Sequence, residues 1–293
     1  MVWASGWRLC SAVSNAGALG VIGSGSMYPE ILEENIIKCK AATNKPFAVN
    51  LPILYSDVKN HLEIIFRNNI KIVITSAGNP ALYTPLLKDH GIKVIHVVSS
   101  KRFAEKAEKA GCDAVIAEGF EAGGHNGREE TASMVLIPLV ASSVSIPVIA
   151  AGGIATGRQM LAAMVLGAEG VQMGSRFVAS EEASSHINFK RAVINSSEGD
   201  TVLTLKELAP VRLMKNNFYE EILNARKNHA SVEELKNLLG KGRAKKGMFQ
   251  GDLEQGELEI GQVSALIIDI KPAAEIVKEI WLEFTKTLQN PLK

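Results

Sequence analysis

The sequence predicts an α/β fold in the form of an incomplete barrel of the (β/α)₈ type. From Met1 to about residue 180, short apolar stretches alternate with amphipathic helices at a period of about 20–25 residues. No hairpin dipeptide separates the apolar stretches, so we expect parallel strands joined by right-handed crossovers. Polar residues or glycines follow almost every predicted strand, and they are Gly23, Asn50, Ser76, Ser99, Glu118, Gly152 and Gly174.

Seven strands and seven helices are predicted in this region. Ala114–Ala117 is apolar throughout, as expected of a parallel strand that is covered on both faces. Pro29 begins the second helix and Gly111 follows the fifth, which are favoured positions for these residues at helix ends. The predicted strands are Leu19–Ile22, Phe47–Leu51, Lys71–Thr75, Lys93–Val98, Ala114–Ala117, Pro147–Ala150 and Gly170–Met173. The predicted helices are Trp7–Asn15, Glu30–Ala42, Val58–Phe66, Ala81–Lys88, Phe103–Ala110, Ala132–Ser142 and Gly157–Leu166.

The distribution of strand-end residues distinguishes a barrel from a doubly wound sheet. An open sheet concentrates its ligand contacts at one switch point, whereas a barrel uses the ends of all its strands. The first predicted strand also runs into Gly23-Ser24-Gly25-Ser26, which lacks the third glycine of the dinucleotide-binding fingerprint. Both observations favour the barrel.

The predicted number of strands is one fewer than a closed barrel needs. Closure needs eight strands, because strand number, tilt and shear are linked. Only seven are predicted, and the first element after Met1 is a helix. We therefore expect the chain to lack the first strand of a complete barrel, which would leave two strand edges exposed. A naturally open barrel, or a strand from elsewhere in the gap, is the alternative.

The character of the sequence changes at about residue 197. The residue pattern of Glu220–Leu239 indicates charged, amphipathic helices. The segment Gly240–Gly247 is a loop rich in Lys, Arg and Gly. Ala273–Phe284 is apolar and helical again. The expected domains are a barrel formed by residues 1–196 and 263–293, and a small helical substrate or cap domain formed by residues 197–262.

The composition excludes several classes of protein. A formal net charge of +1 offers no electrostatic basis for binding nucleic acid or an anionic membrane. No apolar run reaches the roughly 18 residues of a membrane span, and no secretory leader is recognisable. The widely spaced Cys10, Cys39 and Cys112 are typical of reduced, buried thiols in a cytoplasmic protein. No metal site is expected, because no His or Cys residues stand at ligand spacing.

The stretch Asp113–Gly127 carries the strongest functional signal. It begins as a buried strand and then breaks into titratable groups among glycines, where barrels place their chemistry. Glycines let the backbone approach a ligand closely, and the imidazole of His125 can transfer a proton near pH 7. Glu118 ends the strand directly, which favours a role beside a cofactor.

Two later strands end in glycine, within Val148–Ile154 and Val171–Arg176. In barrels, the loops after the last two strands commonly bind phosphate through backbone N–H groups. Glycine is needed there, because a Cβ atom would hold the phosphate away from these donors. Two such loops in successive units therefore predict a ligand that contains phosphate.

These motifs resemble those of the FMN-dependent nitronate monooxygenase (2-nitropropane dioxygenase) family and of its close relatives, the flavin-dependent enoyl-acyl-carrier-protein reductases. The resemblance is carried by AVIAEG followed by EAGGH-x-G, by PVIAAGGIATG and by GVQMGSRF, and it extends from Met1 to Gly261-Gln262. It implies a TIM barrel with a small helical domain, and FMN at the C-terminal mouth.

The resemblance also implies a role for particular residues. His125 corresponds to the catalytic histidine, and Met1 to a methionine that follows the family's first strand and packs against the flavin. The cofactor-binding residues that it implies are Met1, Asn50, Glu118, Gly123, Gly124, Gly152, Gly153, Gly174, Ser175 and Gln262. Of these, Gly152, Gly153, Gly174 and Ser175 would hold the phosphate.

The favoured activity is the oxidation of alkyl nitronates with O₂ at the flavin, with His125 as acid or base. The alternatives within the superfamily are an NAD(P)H-dependent enoyl-acyl-carrier-protein reductase, with acyl carrier protein as its partner, and an NAD(P)H:quinone reductase. A flavin-binding protein without catalysis is the alternative of a different class, and the presence of His125 argues against it. Each of the enzymes takes a small-molecule substrate and is compatible with a homodimer.

Overall fold

A computed structural model describes residues 1–291, so positions 292 and 293 of the predicted barrel region lie outside the described residues. The centre of the structure is a parallel sheet of seven strands. In chain order these are β1 (Gly20–Gly23), β2 (Phe47–Pro52), β3 (Ile72–Ser76), β4 (Lys93–Val98), β5 (Ala114–Glu118), β7 (Val148–Ala151) and β8 (Gly170–Gln172), while β6 (Gly124–His125) belongs to a second sheet.

The predicted α/β barrel architecture with seven parallel strands is confirmed. Consecutive strands pair from β1 through β5, and β5 then pairs with β7 and β7 with β8. The strands β1 and β8 form the two edges of the sheet, and within residues 1–291 no strand lies between them. The result is a half-barrel rather than a closed one.

Helices cover the outer face of this sheet. They are α1 (Trp7–Asn15), α2 (Pro29–Ala42), α3 (Val58–Arg67), α4 (Thr84–Asp89), α5 (Lys101–Lys109), α6 (Ser133–Ala141) and α7 (Gly157–Val165). The helix predicted over Ala81–Lys88 begins later, at Thr84, after a 3₁₀ turn over Pro80–Leu82. Proline is favoured in the first turn of a helix, where its missing N–H costs no hydrogen bond, and the late start places Pro85 there.

Strand residues alternate between two apolar layers. Val49, Val73 and Val115 are fully buried in the layer between the sheet and the helices. Their neighbours Ile74 and Ile116 point to the inside of the barrel. The inward-facing layer forms the floor beneath the ends of the strands.

The C-terminal part of the chain begins with α8 (Ser175–Val178) and α9 (Ile187–Ile194). Residues 197–262 contain the expected helices, here α10 (Asn217–Lys227) and α11 (Val232–Leu239). They also contain two strands that the sequence had not indicated, β9 (Thr201–Thr204) and β10 (Val211–Met214). Together with β6 these strands form an antiparallel sheet in the order β6-β10-β9.

The last helix, α12 (Ala273–Gln289), packs against α7 and α1. The approach to α7 is close at Gly157, where a side-chain carbon would collide with the backbone of Phe284 and Ile280. None of the helices within residues 1–291 is long and apolar enough to cross a membrane.

Candidate active site

The C-terminal ends of the parallel strands surround a cavity of about 2010 Å³, which we call the mouth cavity. Almost all of the strand-end residues predicted from the sequence line it, namely Gly23, Asn50, Ser76, Ser99, Glu118 and Gly174. The cavity continues down the barrel to the gap between β1 and β8, where α1 and α12 contribute Val13 and Val277. The strand ends thus converge on one space, as a barrel requires.

A smaller pocket of about 140 Å³ adjoins the mouth cavity. Its lining includes the predicted phosphate-binding residues Gly152, Gly153, Gly174 and Ser175, together with Gly123. Gly152 and Gly153 adopt φ angles of +86° and +68°, which favour glycine. A side-chain carbon at Gly152 would lie 2.7 Å from the carbonyl oxygen of Gly119, so the two loops approach each other more closely than any larger residue allows.

The chain returns to this pocket at Gly261. The backbone N–H of Gly261 donates to the hydroxyl oxygen of Ser175 at 3.0 Å. The backbone N–H of Gln262 donates to the carbonyl oxygen of Glu121 at 2.9 Å. The side chain of Gln262 is exposed and lines neither cavity, so its backbone rather than its amide group reaches the site.

Asn50 and Met1 both line the mouth cavity. The side-chain nitrogen of Asn50 donates to the carbonyl oxygen of Ile74 at 2.9 Å and to the hydroxyl of Ser76 at 3.2 Å. Its side-chain oxygen therefore remains for a ligand. Met1 lines both cavities, and its Cγ atom would lie 3.5 Å from a side-chain carbon placed on Gly174.

His125 lies in β6 at the rim of the mouth cavity, and its side chain is exposed. Pairing with Val211 of β10 fixes its backbone. The side-chain amide of Asn126 donates to the carbonyl oxygens of Ala122 and Gly124, at 2.9 and 3.0 Å. These two hydrogen bonds stabilise the glycine loop, residues 122–126. The imidazole is thus carried on a well-connected loop and faces the space where a substrate would bind.

Glu118 lines both cavities at the end of β5. Burial raises the pKa of its carboxyl to about 7, and the nearby amino group of Met1 opposes this shift. A carboxyl that titrates near neutral pH can hold or release a proton under working conditions.

The structure adds two residues that the sequence had not indicated, Glu257 and Glu259. Both line the mouth cavity. The alternation of acidic and apolar residues in Glu257–Ile260 is the pattern of a strand with one face on a cavity. The pattern covers only four residues within an acidic, glycine-rich segment, so it does not stand out from a solvated loop.

Comparison with known proteins decides the family. The family model described as nitronate monooxygenase matches residues 1–62 and 53–283, which is nearly the whole chain. The chain belongs to the nitronate monooxygenase family. The resemblance drawn from the motifs is thereby confirmed.

Curated relatives carry two kinds of name. A dehydrogenase of Mycobacterium tuberculosis, named for (3aS,4S,5R,7aS)-5-hydroxy-7a-methyl-1-oxo-octahydro-1H-indene-4-carboxyl-CoA, is 30% identical, and the match covers 99% of this chain and 92% of the relative. A probable nitronate monooxygenase of Staphylococcus saprophyticus is 32% identical, over 89% of this chain and 86% of the relative.

Two solved structures that are similar to this chain also carry different names. FabK from Thermotoga maritima is 42% identical, with a TM-score of 0.93, over 99% of this chain and 92% of that protein. A nitroalkane oxidase from Streptomyces ansochromogenes is 25% identical, with a TM-score of 0.84, over 98% of this chain and 94% of that protein.

These relationships establish the general activity of the nitronate monooxygenase family member described here. The chain is an enzyme, an oxidoreductase that acts on a small-molecule substrate. The nitronate monooxygenase and FabK families are flavin-dependent, so its cofactor is a flavin. The glycine-lined pocket of about 140 Å³ fits the phosphate end of such a group, because a cavity of about 10–15 Å³, measured in the same way, already holds one water molecule.

Proposed function

We propose that this enzyme is an FMN-dependent reductase of α,β-unsaturated acyl thioesters, with a reduced nicotinamide as the electron donor. The observation that carries the proposal is the acidic character of the mouth cavity around His125. Three carboxyls, those of Glu118, Glu257 and Glu259, line the same cavity as the imidazole. Such a site can supply a proton to a neutral substrate.

The arrangement of glycines supports FMN as the flavin. Gly152, Gly153, Gly174 and Ser175 would hold one phosphate group, and Asn50 would offer its side-chain oxygen to the flavin ring. FMN, when bound, supplies the two-electron redox chemistry. No dinucleotide fingerprint follows the first strand, so nothing in the fold calls for the pyrophosphate of FAD.

The residues of the chain would bind the substrate and move the proton. His125 would donate a proton to the α-carbon of the thioester, because its imidazole is exposed to the mouth cavity. Glu118 lies deeper, at the end of β5, and would hold a proton near neutral pH. The loop around Gly124 would keep the imidazole in position.

The same carboxyls suit an uncharged substrate that takes up a proton. Burial raises the pKa of Glu257 to about 8 and that of Glu118 to about 7, so near neutral pH both carboxyls are partly or largely protonated. A protonated carboxyl can donate a hydrogen bond to the neutral carbonyl of an acyl thioester, and it offers no positive charge to attract an alkyl nitronate. The identity of 42% to a FabK protein, a type of enoyl-acyl-carrier-protein reductase, supports the same choice.

Nitronate oxidation is the second candidate function. It is favoured by the match to the nitronate monooxygenase family model and by relatives that are named probable nitronate monooxygenases. In that reaction His125 would act as the acid or base beside the substrate.

We also propose that residues 197–262 act as the substrate-facing cap of residues 1–196 and 263–291. Leu208, Arg243 and Glu257 of this segment line the mouth cavity. The pairing of β10 with β6 joins the segment to the loop that carries His125. A carrier, either acyl carrier protein or coenzyme A, would approach from this side.

Product analysis tests the proposed function. The purified holoenzyme is incubated in D₂O with crotonyl-coenzyme A and either NADPH or NADH, and the products are identified by mass spectrometry. We expect a saturated thioester with one deuterium from solvent at the α-carbon. Absence of any saturated product, together with rapid O₂ consumption with propyl-2-nitronate, would replace this function with nitronate oxidation.

A further inference from the structure

The strongest unexplained feature of the site is the short segment from Glu257 to Ile260. It lies beside β10 in extended form and is joined to it by one isolated antiparallel bridge between Leu213 and Glu259, and the N–H of Met214 donates to the carbonyl oxygen of Leu258 at 2.9 Å. Leu258 and Ile260 are buried in an apolar cluster. The alternation of a strand therefore turns both Glu257 and Glu259 towards the mouth cavity, which both of them line.

Glu257 is a largely buried residue whose carboxyl makes no hydrogen bond. The residue is only 7% exposed, and within residues 1–291 its side chain has neither a hydrogen bond nor a close ion pair, although the charge of Arg243 acts on it. A buried polar group that makes no hydrogen bond is costly, and such groups in native proteins commonly face a ligand or an ordered water. The carboxyl lines the mouth cavity, so a ligand in that cavity can supply the missing bond.

Arg243, whose charge opposes the pKa shift of Glu257, is held by other acceptors. Its Nε atom donates to the carbonyl oxygens of Leu238 and Leu239, both at 3.0 Å, and one terminal nitrogen donates to the carbonyl oxygen of Gln255 at 2.9 Å. It therefore supports the loop and does not neutralise Glu257 through a hydrogen bond.

The second carboxyl, that of Glu259, also lacks a hydrogen-bond partner within residues 1–291. Burial raises the pKa of both carboxyls, and their mutual repulsion adds to the shift of Glu257. His125 and the amino group of Met1 oppose the shift of Glu259. Burial and like charge both disfavour ionisation of the two carboxyls at once, so the favoured state has one protonated carboxyl, a hydrogen-bond donor, and one ionised carboxyl, an acceptor.

We propose that Glu257 and Glu259 form a subsite that binds an amide group of the substrate. The protonated carboxyl donates to the amide oxygen, and the ionised carboxyl accepts from the amide N–H. This inference rests on the proposed function for the source of the amide, which is the pantetheine arm of the thioester. The carboxamide of the nicotinamide is the other source with the same chemistry.

Two thioesters that differ in one amide test the subsite. The holoenzyme is assayed at saturating NADPH with the N-acetylcysteamine thioester of crotonic acid, which has an amide, and with the S-butyl thioester, which has none. We expect kcat/KM to be about 10- to 100-fold higher for the amide-containing thioester, as hydrogen bonds to ionisable groups imply.

Substitutions assign this preference to the two carboxyls. In Glu257→Leu and in Glu259→Leu, the ratio of the two kcat/KM values should fall to about threefold or less. Glu257→Gln should retain most of the preference for the amide-containing thioester, because an amide side chain still donates and accepts hydrogen bonds. Glu254→Leu, which removes an exposed carboxyl from the same segment, serves as the matched control and should leave the ratio unchanged. Melting temperature and flavin content verify that each variant is folded.

Binding measurements separate the subsite from the reaction. The affinities of the saturated analogues, butyryl-N-acetylcysteamine and S-butyl thiobutyrate, are measured by quenching of flavin fluorescence, which needs no turnover. If no thioester is reduced but the amide analogue binds more tightly through Glu257 and Glu259, the proposed function fails and the subsite stands. An unchanged preference in both leucine variants would overturn the subsite.

Measurements with the nicotinamide cosubstrate identify which molecule supplies the bound amide. The KM for NADPH is compared with that for its 3-acetylpyridine analogue, which lacks the amide nitrogen. If the leucine variants raise the KM for NADPH alone and leave the thioester ratio unchanged, the amide bound is that of the nicotinamide and the assignment to pantetheine is overturned.

Discussion

The carboxyl of Glu259 lies against Gly124, the residue before His125. A side-chain carbon on Gly124 would fall 2.7 Å from Oε2 of Glu259, and the φ angle of Gly124 is +78°. The positive φ angle favours glycine, and a side chain at this position would displace the carboxyl of Glu259. The loop of the histidine and the strand that carries the two carboxyls are therefore packed as one unit, although they are far apart in the sequence.

The cofactor should be FMN and not FAD. The pocket lined by Gly152, Gly153 and Gly174 suits a single phosphate group, and the fold offers no second phosphate loop after β1. Flavin released from the purified protein by heat and separated by reverse-phase chromatography should migrate as FMN. A peak of FAD would contradict the assignment of the pocket.

Gly153→Val should expel the flavin. The φ angle of Gly153 is +68° and the residue lines the phosphate pocket, so a branched side chain would both strain the backbone and fill the pocket. Gly199→Val is the matched control, because Gly199 has a φ angle of +83° with nothing within 4 Å of its added carbon. We expect the flavin-to-protein ratio to fall only in Gly153→Val. Equal losses in both variants would mean that backbone strain alone is responsible.

His125→Asn should retain flavin and lose turnover. The imidazole lines the mouth cavity but not the phosphate pocket, and loss of a general acid typically costs about 10²- to 10⁴-fold in rate. His229→Asn removes an exposed histidine at a residue of positive φ, which Asn tolerates, and should have no effect. Near-native kcat in His125→Asn would remove this residue from the proton transfer.

Stability should respond to the titration of Glu257. Burial raises the pKa of Glu257 from 4.5 to about 8, so the folded chain binds a proton that the unfolded chain has released. The contribution of this carboxyl is therefore most favourable below about pH 4.5 and is lost as the pH rises to about 8. Melting temperatures of the native protein and of Glu257→Gln should be similar at pH 4.5, and the variant should be more stable at pH 8. A difference that does not change with pH would contradict the raised pKa.

The positions of the strand ends could be predicted from the sequence because a parallel strand is a local pattern. Asn50, Glu118 and Gly174 follow apolar runs, and the barrel architecture brings all such ends together. His125 could be placed because it directly follows the glycine loop. Gln262 was predicted from a motif, and the structure shows that only its backbone reaches the pocket.

The acidic pair and the second sheet could not be predicted in this way. β9 and β10 have four residues each, and the pairing of β10 with β6 joins residues 86 to 88 positions apart in the sequence. The environment of Glu257 depends on Arg243 and on the mouth cavity, which neighbouring residues in the sequence do not reveal. Burial and long-range packing thus determine the acidic part of the site.

Anaerobic stopped-flow spectroscopy follows the proposed electron path from a reduced nicotinamide, through the flavin, to an unsaturated thioester. The oxidised holoenzyme is mixed with NADPH or NADH, and then with crotonyl-N-acetylcysteamine, while the visible absorbance of the oxidised flavin is recorded. We predict rapid bleaching by the nicotinamide and recovery of absorbance on addition of the thioester. Bleaching by propyl-2-nitronate, with none by either nicotinamide, would rule out this electron path.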